Sequence, residues 1–220
     1  MPVRTSLGGF APHRLLRRLI AGPSRALAYE RDLTVMFTDI AGFTELAESL
    51  PPSAVAELLR AHLGALAERI ESERGIVDKV LGDGLLAFWE HGAGRSTPAA
   101  PAVRAALAIR SEVERDNAAR TARGLAPIRL RVGLHAGRLM MAPLGAAGRL
   151  GVNLCGDTVN VAQRLEDAAR HLEGDHEVAI VASDAVVAHA GQAFRFEQLG
   201  QLPIRGRREP VRAFSLAGRV

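Results

Sequence analysis

GIVDKVLGDGLLAFWE, residues 75–90, reads as a hairpin: a strand, a tight Gly-Asp-Gly turn and a second, almost wholly apolar strand. Upstream, PSAVAELLRAHLGALAERIESERG sets Val55, Leu58, Leu59, Leu63, Leu66 and Ile70 at helical spacing, and Gly75 closes that helix. Before it, DLTVMFTDI is a short apolar strand that ends in an acid, as a buried central strand would. Downstream come the loop HGAGRSTPAAP and a second long helix, AVRAALAIRSEVERDNAARTARG. IRLRVGLHAGRLMMAPLG then reads as a strand, a glycine corner and another strand. AAGRLGVNLCGD reads as a mobile loop, and TVNVAQRLEDAARHLE as a helix entered from Gly156-Asp157. The tail alternates strands with a short helix and the basic turn RGRREP.

The order β-α-β-β-α-β is the ferredoxin-like pattern, and the hairpin decides it. The fold expected is therefore α+β, with helices packed on one face of a mainly antiparallel sheet, rather than a doubly wound parallel sheet. The 220 residues suit one domain, with residues 32–220 as its body and 1–31 as a linker or short amphipathic segment. Such a segment could meet a membrane surface or an upstream sensor. No apolar run is long enough to span a bilayer.

A net charge of +4 and 4% aromatics argue against a nucleic-acid binder, which needs a concentrated basic stripe with interleaved rings. The single cysteine, Cys155, excludes an internal disulfide and fits a reducing compartment, so a cytoplasmic location is expected. With no histidine near it in sequence, Cys155 reads as a buried structural thiol.

The hairpin also holds Lys79, the sole lysine among 28 basic residues. Asp39, at the end of an apolar strand, and Asp83, in the hairpin turn, are brought together if the two strands lie side by side. A divalent cation between such carboxylates removes their repulsion, and oxygen-only ligands favour Mg²⁺ or Mn²⁺ over zinc. Taken singly, Asp39 is equally readable as a helix cap and Asp83 as a plain turn residue. Residues 41–44 (Ala41, Gly42, Phe43 and Thr44) form a strand-to-helix turn whose amides could cradle phosphate. Asn160 and Arg164 share one face of their helix and suit sugar and phosphate oxygens. Arg131 lies in an apolar strand, where its guanidinium faces either a cleft or solvent. His135 is a structural histidine before it is a general base.

The order of FTDIAGFT, KVLGDGLLAFW, LRVGLHAG and CGDTVNVAQRLE resembles the class III nucleotidyl cyclase catalytic domain, from about Asp32 to Ala217. The resemblance implies a palm-type fold acting as a head-to-tail homodimer with active sites at the interface. It implies that Asp39, Asp83 and the Ile40 carbonyl hold two metal ions, Mg²⁺ or Mn²⁺, and that residues 41–44 cradle the triphosphate of ATP. It further implies that Lys79 reads adenine, that Asn160 and Arg164 contact ribose and the transferring phosphoryl group, and that Arg131 and Arg205 meet phosphate. Adenine N1 accepts a hydrogen bond where guanine N1 carries a hydrogen, so an ammonium there favours ATP. Asn153 departs from the Asp or Thr that adenylyl cyclases of this family carry at that position. A carboxamide suits adenine and can be flipped toward guanine, so some use of GTP is expected. The activity implied is adenylate cyclase, ATP to 3′,5′-cyclic AMP and pyrophosphate. A guanylate or mixed-specificity cyclase and a silent nucleotide-binding regulatory domain are its rivals.

Overall fold

The computed structural model describes residues 29–90, 99–146, 149–172, 176–204, 207 and 209–220. The chain runs β1 (Tyr29–Ile40), α1 (Phe43–Glu48), α2 (Pro52–Ser72), β2 (Ile76–Leu81), β3 (Gly84–Glu90) and α3 (Ala99–Ala122). It continues through β4 (Leu130–Ala146), β5 (Arg149–Cys155), α4 (Asp157–Ala168) and a 3-10 turn (Ala169–Leu172). The last part is β6 (Val178–Ser183), α5 (Asp184–Ala190), β7 (Phe194–Leu202) and β8 (Val211–Arg219). Among the described residues these strands form one 8-stranded sheet in the order β2-β3-β1-β4-β6-β8-β7, with β5 paired to β4 off that path. Pairing is antiparallel except between β4 and β6. The arrangement β2-β3-β1-β4 is the ferredoxin-like core that the hairpin predicts.

Strand alternation divides the side chains between two faces. On one face Met36 and Ile40 of β1, Leu130, Val132 and Leu134 of β4, and Ile180 of β6 meet the apolar stripes of α2, α3 and α5. The opposite face carries Leu33, Val35 and Phe37, joined by Leu86, Phe88 and Ala162, while Val161 and Leu165 pack on Ala179 and Val181. Ala162, Val161 and Leu165 belong to α4, so α4 lies across the sheet from α2, α3 and α5. The one-face expectation thus holds for those three helices, and α4 is set apart from them.

Three boundaries differ from the sequence reading. β1 starts at Tyr29, so residues 29–31 pair with β4 instead of belonging to a linker; residues 1–28 lie outside the described residues. β4 is one 17-residue strand with no corner at its glycines. A Cβ on Gly133 would come within 2.2 Å of the Ala162 carbonyl oxygen and 2.3 Å of the Glu166 nitrogen. Gly133 therefore serves close approach of α4 rather than a turn. Residues expected as a mobile loop form β5, which pairs with the outer half of β4 from Met140↔Cys155 to Ala146↔Arg149.

Asn117 of α3 anchors the entry to β4. Its side chain accepts from the Ile128 amide and donates to the Ile128 carbonyl, both at 2.7 Å, and donates to Glu177 at 3.0 Å. That fixes the level at which β4 starts, and hence where Arg131 stands beside Asp39.

Candidate active site

Asp39 follows Phe37 on the α4 face at the end of β1, and its side chain is 31% exposed. The hairpin brings Asp83 to it. Gly84 has no room for a side chain, since a Cβ there would lie 1.8 Å from the Thr38 carbonyl oxygen. Thr38 Oγ1 accepts from the Leu85 amide at 2.9 Å, and the Ile40 amide donates to Asp83 Oδ2 at 3.0 Å. Burial first, and then the charge of Asp39, push the Asp83 carboxyl above its ordinary pKa. Two carboxylates crowded so that one resists ionising fit a hard divalent cation, which would relieve both causes. With the Ile40 carbonyl, the third ligand expected from sequence, they would make an oxygen-only donor set. Among the described residues no group of three or more His, Cys, Asp or Glu is placed to hold a metal ion. An open set of this kind leaves positions for phosphate oxygens and water, as Mg²⁺ sites usually do.

Arg131, expected at substrate phosphate, is instead buried at 8% exposure and bound to protein acids. Its guanidinium pairs with Asp39 through Nη2, and its Nε lies 3.0 Å from Glu166 Oε1. Glu166 is a site neighbour that sequence reading missed. The signal was present: Glu166 stands four residues after Ala162 on the apolar side of α4, where a charge requires a partner. Burial, reinforced by Asp39, raises the Glu166 pKa to about 7 in spite of Arg131. The three residues tie α4 to the metal-acid end of β1.

The turn after β1 supplies less than the whole cradle expected. The Ala41 amide donates to the Arg129 carbonyl at 2.9 Å and is already engaged. Gly42 takes φ 70° at the entry to α1, and Phe43 packs its ring against the core. The backbone of Gly42, Phe43 and Thr44 is what the turn offers.

Lys79 lies on the α4 face, because it pairs with Leu86, whose side chain is in that core. By register it sits two strand spacings and two residues from Asp39, on the order of 12 Å between Cα atoms. Asn160 and Arg164 are exposed on α4, and Arg164 pairs with Asp167 at 2.9 Å. Thr158 Oγ1 donates to the Arg138 carbonyl at 2.6 Å, pinning the start of α4 to β4. Asn153 pairs with Ala142, whereas Arg131 of the same strand pairs with Asp39. From Arg131 to Ala142 the strand has a contour length of about 36 Å at about 3.3 Å per residue. Arg205 lies outside the described residues.

Cys155 is exposed rather than buried, and Asn153 Nδ2 donates to its Sγ at 3.3 Å. It follows the last apolar position of β5, Leu154, so strand alternation turns it outward. His135 is buried, with Nδ1 2.8 Å from Ser183 Oγ. Burial is the main cause that lowers its pKa to about 4. A hydrogen-bonded structural histidine fits that setting.

The family described as "Adenylate and Guanylate cyclase catalytic domain" matches residues 27–218. Adenylate cyclase 1 of Rhizobium meliloti is 33% identical over 214 residues, which cover 96% of this chain and 31% of that protein. The adenylate cyclase of Anabaena cylindrica is 30% identical over 143 residues, 63% of this chain and 28% of that protein. The chain thus spans less than a third of the length of either relative. Among solved structures, the adenylyl cyclase CyaB from P. aeruginosa superposes with a TM-score of 0.77 at 27% identity, covering 86% of this chain and 95% of that one. The guanylyl cyclase Cya2 superposes at 0.76 and 24% identity over 88% of this chain and 95% of its own, a likeness of fold.

Proposed function

The chain belongs to the adenylate and guanylate cyclase catalytic-domain family, and we propose that it is an adenylate cyclase converting ATP to 3′,5′-cyclic AMP and pyrophosphate. The observation that carries this reading is the common face: Asp39, Asp83 and Lys79 sit on the side of the sheet that α4 occupies, with Asn160 and Arg164 exposed on α4 itself. Divalent cations, Mg²⁺ or Mn²⁺, held by Asp39, Asp83 and the Ile40 carbonyl would neutralise phosphate charge and lower the pKa of the ribose 3′-hydroxyl.

The chain's own groups supply the rest. Lys79 donates to adenine N1, and Asn153 reads the base edge beside it. Asn160 orients the ribose, so that its 3′-oxygen lies in line with the α-phosphorus. Arg164 opposes the charge that grows on the phosphoryl oxygens. The amides of Gly42, Phe43 and Thr44 hold the leaving pyrophosphate. No side chain is assigned as general base, and His135, buried on Ser183, stays outside the reaction.

The site is shared by two copies of the chain in this reading, as the family resemblance implies. In a homodimer, Asp39 and Asp83 of one protomer would face Lys79, Asn153, Asn160 and Arg164 of the other. Mixed specificity is the second reading, and Asn153 motivates it, since its carboxamide can present either end to a base. Turnover of ATP and GTP in parallel by the purified chain, with Mg²⁺ or Mn²⁺ added, tests both. Cyclic AMP from the intact chain and none from Asp83→Ala is the result expected. Cyclic GMP as the main product would overturn the assignment to ATP.

A further inference from the structure

The strand that carries Lys79 is irregular where the lysine sits. β2 pairs with β3 through Val77↔Ala87 and then through Lys79↔Leu86, so Asp78 and Lys79 together oppose Leu86. This is a β-bulge, a device that redirects a side chain and recurs beside active sites. In a regular strand neighbouring side chains point to opposite faces and do not pair. Here Lys79 Nζ lies 3.3 Å from Asp78 Oδ2, with the aspartate side chain 3% exposed and the lysine side chain 40% exposed. Asp78 Oδ2 is buried without a well-formed hydrogen bond. The ammonium is what compensates it, and burial raises the Asp78 pKa against the pull of Lys79. β2 is the edge strand of the sheet, where an exposed carboxylate would cost nothing. Burying this one costs stability, and a single neighbouring cation repays that only in part.

We propose that Asp78 is a positioning residue for base recognition: its carboxylate holds the Lys79 ammonium in one place on the α4 face, taking one N–H and leaving the others for a purine ring acceptor. The inference rests on the adenylate cyclase reading for the identity of that acceptor. A free lysine side chain samples many rotamers, and tethering its head removes part of that entropy loss from the binding step. The tether also sharpens selectivity. A fixed ammonium repels the N1–H of guanine, whereas an untethered one swings aside and tolerates it.

The test compares Asp78→Asn, Lys79→Met and the double variant with ATP, GTP and 1-deaza-ATP, which has a C–H in place of N1. Asp78→Asn is expected to lower kcat/KM for ATP about tenfold, mostly through KM, and to narrow the ATP over GTP ratio. With 1-deaza-ATP, or in the Lys79→Met background, the same substitution should have no such effect. An equal loss with ATP and 1-deaza-ATP, or a loss that persists without Lys79, would make Asp78 purely structural and overturn the proposal. Thermal unfolding supplies a readout that needs no turnover. Lys79→Met strands a buried carboxylate, so it should melt at a lower temperature than the Asp78→Asn, Lys79→Met double variant. Equal melting temperatures would show that the two groups are uncoupled and would also overturn it. A wild-type chain that makes no cyclic AMP but shows the expected melting order would sink the reading of function and leave the ion pair standing.

Discussion

Asp83 bears two costs at once, burial and the adjacent charge of Asp39, and the Ile40 amide offsets them only partly. A fold that needed only a turn would place an exposed residue there. Asp39→Ala and Asp83→Ala should therefore each lower turnover by at least about 10³-fold, the scale of losing charge stabilisation worth several kcal/mol. Full activity in either variant would remove the metal assignment. His62 offers a stability test remote from this chemistry. It sits on the buried stripe of α2, its Nε2 has no hydrogen-bond partner, and its pKa is lowered to about 4. Burial is the main cause, with Asp116 pulling upward and Arg120 downward. A histidine whose folded pKa is depressed stabilises above its unfolded value and loses that contribution as pH falls from about 6.5 toward 4. By pH 5 the loss is about 2 kcal/mol. His62→Leu should shrink the fall in unfolding free energy between pH 7 and pH 5 by that amount. A pH profile identical to wild type would mean that His62 already charges freely in the folded chain. At this scale the meeting of Asp39 and Asp83 was legible from sequence, because an acid ending an apolar strand demands a reason and the hairpin carries the second acid to it. The partners of Arg131 were not. The helix pattern marks Glu166 as a charge that requires a partner but does not say that the partner is Arg131, which it meets only after α4 folds back across β4.

Hairpin and helix positions depend on a few glycines whose role is proximity. Gly84 lets β3 abut the end of β1, and Gly133 lets α4 rest on β4. The sequence shows a glycine as a turn signal and cannot distinguish that use from close approach, which is why β4 read as two strands around a corner. β5 was hidden for a related reason: small residues and glycines in AAGRLGVNLCGD suggest a loop, and only pairing with the outer half of β4 makes them a strand. Gly133→Ala tests the closeness directly. Its Cβ would press on the α4 backbone at Ala162 and Glu166, so the helix must shift. Asn160 and Arg164 ride on that helix, and kcat should fall by about 10²-fold or more, as a misplacement of about 1 Å can do. Gly64→Ala is the matched control. It lies inside α2 with nothing within 4 Å of its Cβ, so it should stabilise the chain by about 0.5–1 kcal/mol and leave kcat alone. Unchanged kcat in Gly133→Ala would mean that α4 can move without disturbing the reaction.

Across the whole molecule the groups assigned to one reaction are spread over one broad surface. Asp39 and Asp83 sit where β1 meets the hairpin turn, while Asn153 belongs to β5 and pairs with Ala142 in the outer half of β4. In the proposed homodimer a second copy of the chain, related by a two-fold axis, completes each site. Each such dimer would have two sites, each taking its metal acids from one protomer and its base-reading and phosphoryl groups from the other. That architecture makes a quantitative forecast. An Asp83→Ala chain and an Arg164→Ala chain are each inactive alone. In a mixed dimer one site collects both defects, and the other is built from the intact Asp83 of one chain and the intact Arg164 of its partner. Random mixing in equal amounts makes half the dimers mixed, with one working site in two, so activity should return to about a quarter of wild type. The measurement is cyclic AMP production against mixing ratio, with mixed dimers verified by differently tagged chains. Recovery should peak at equal amounts and vanish when either variant is omitted. Silence in a sample that demonstrably contains mixed dimers would place the whole site within one chain.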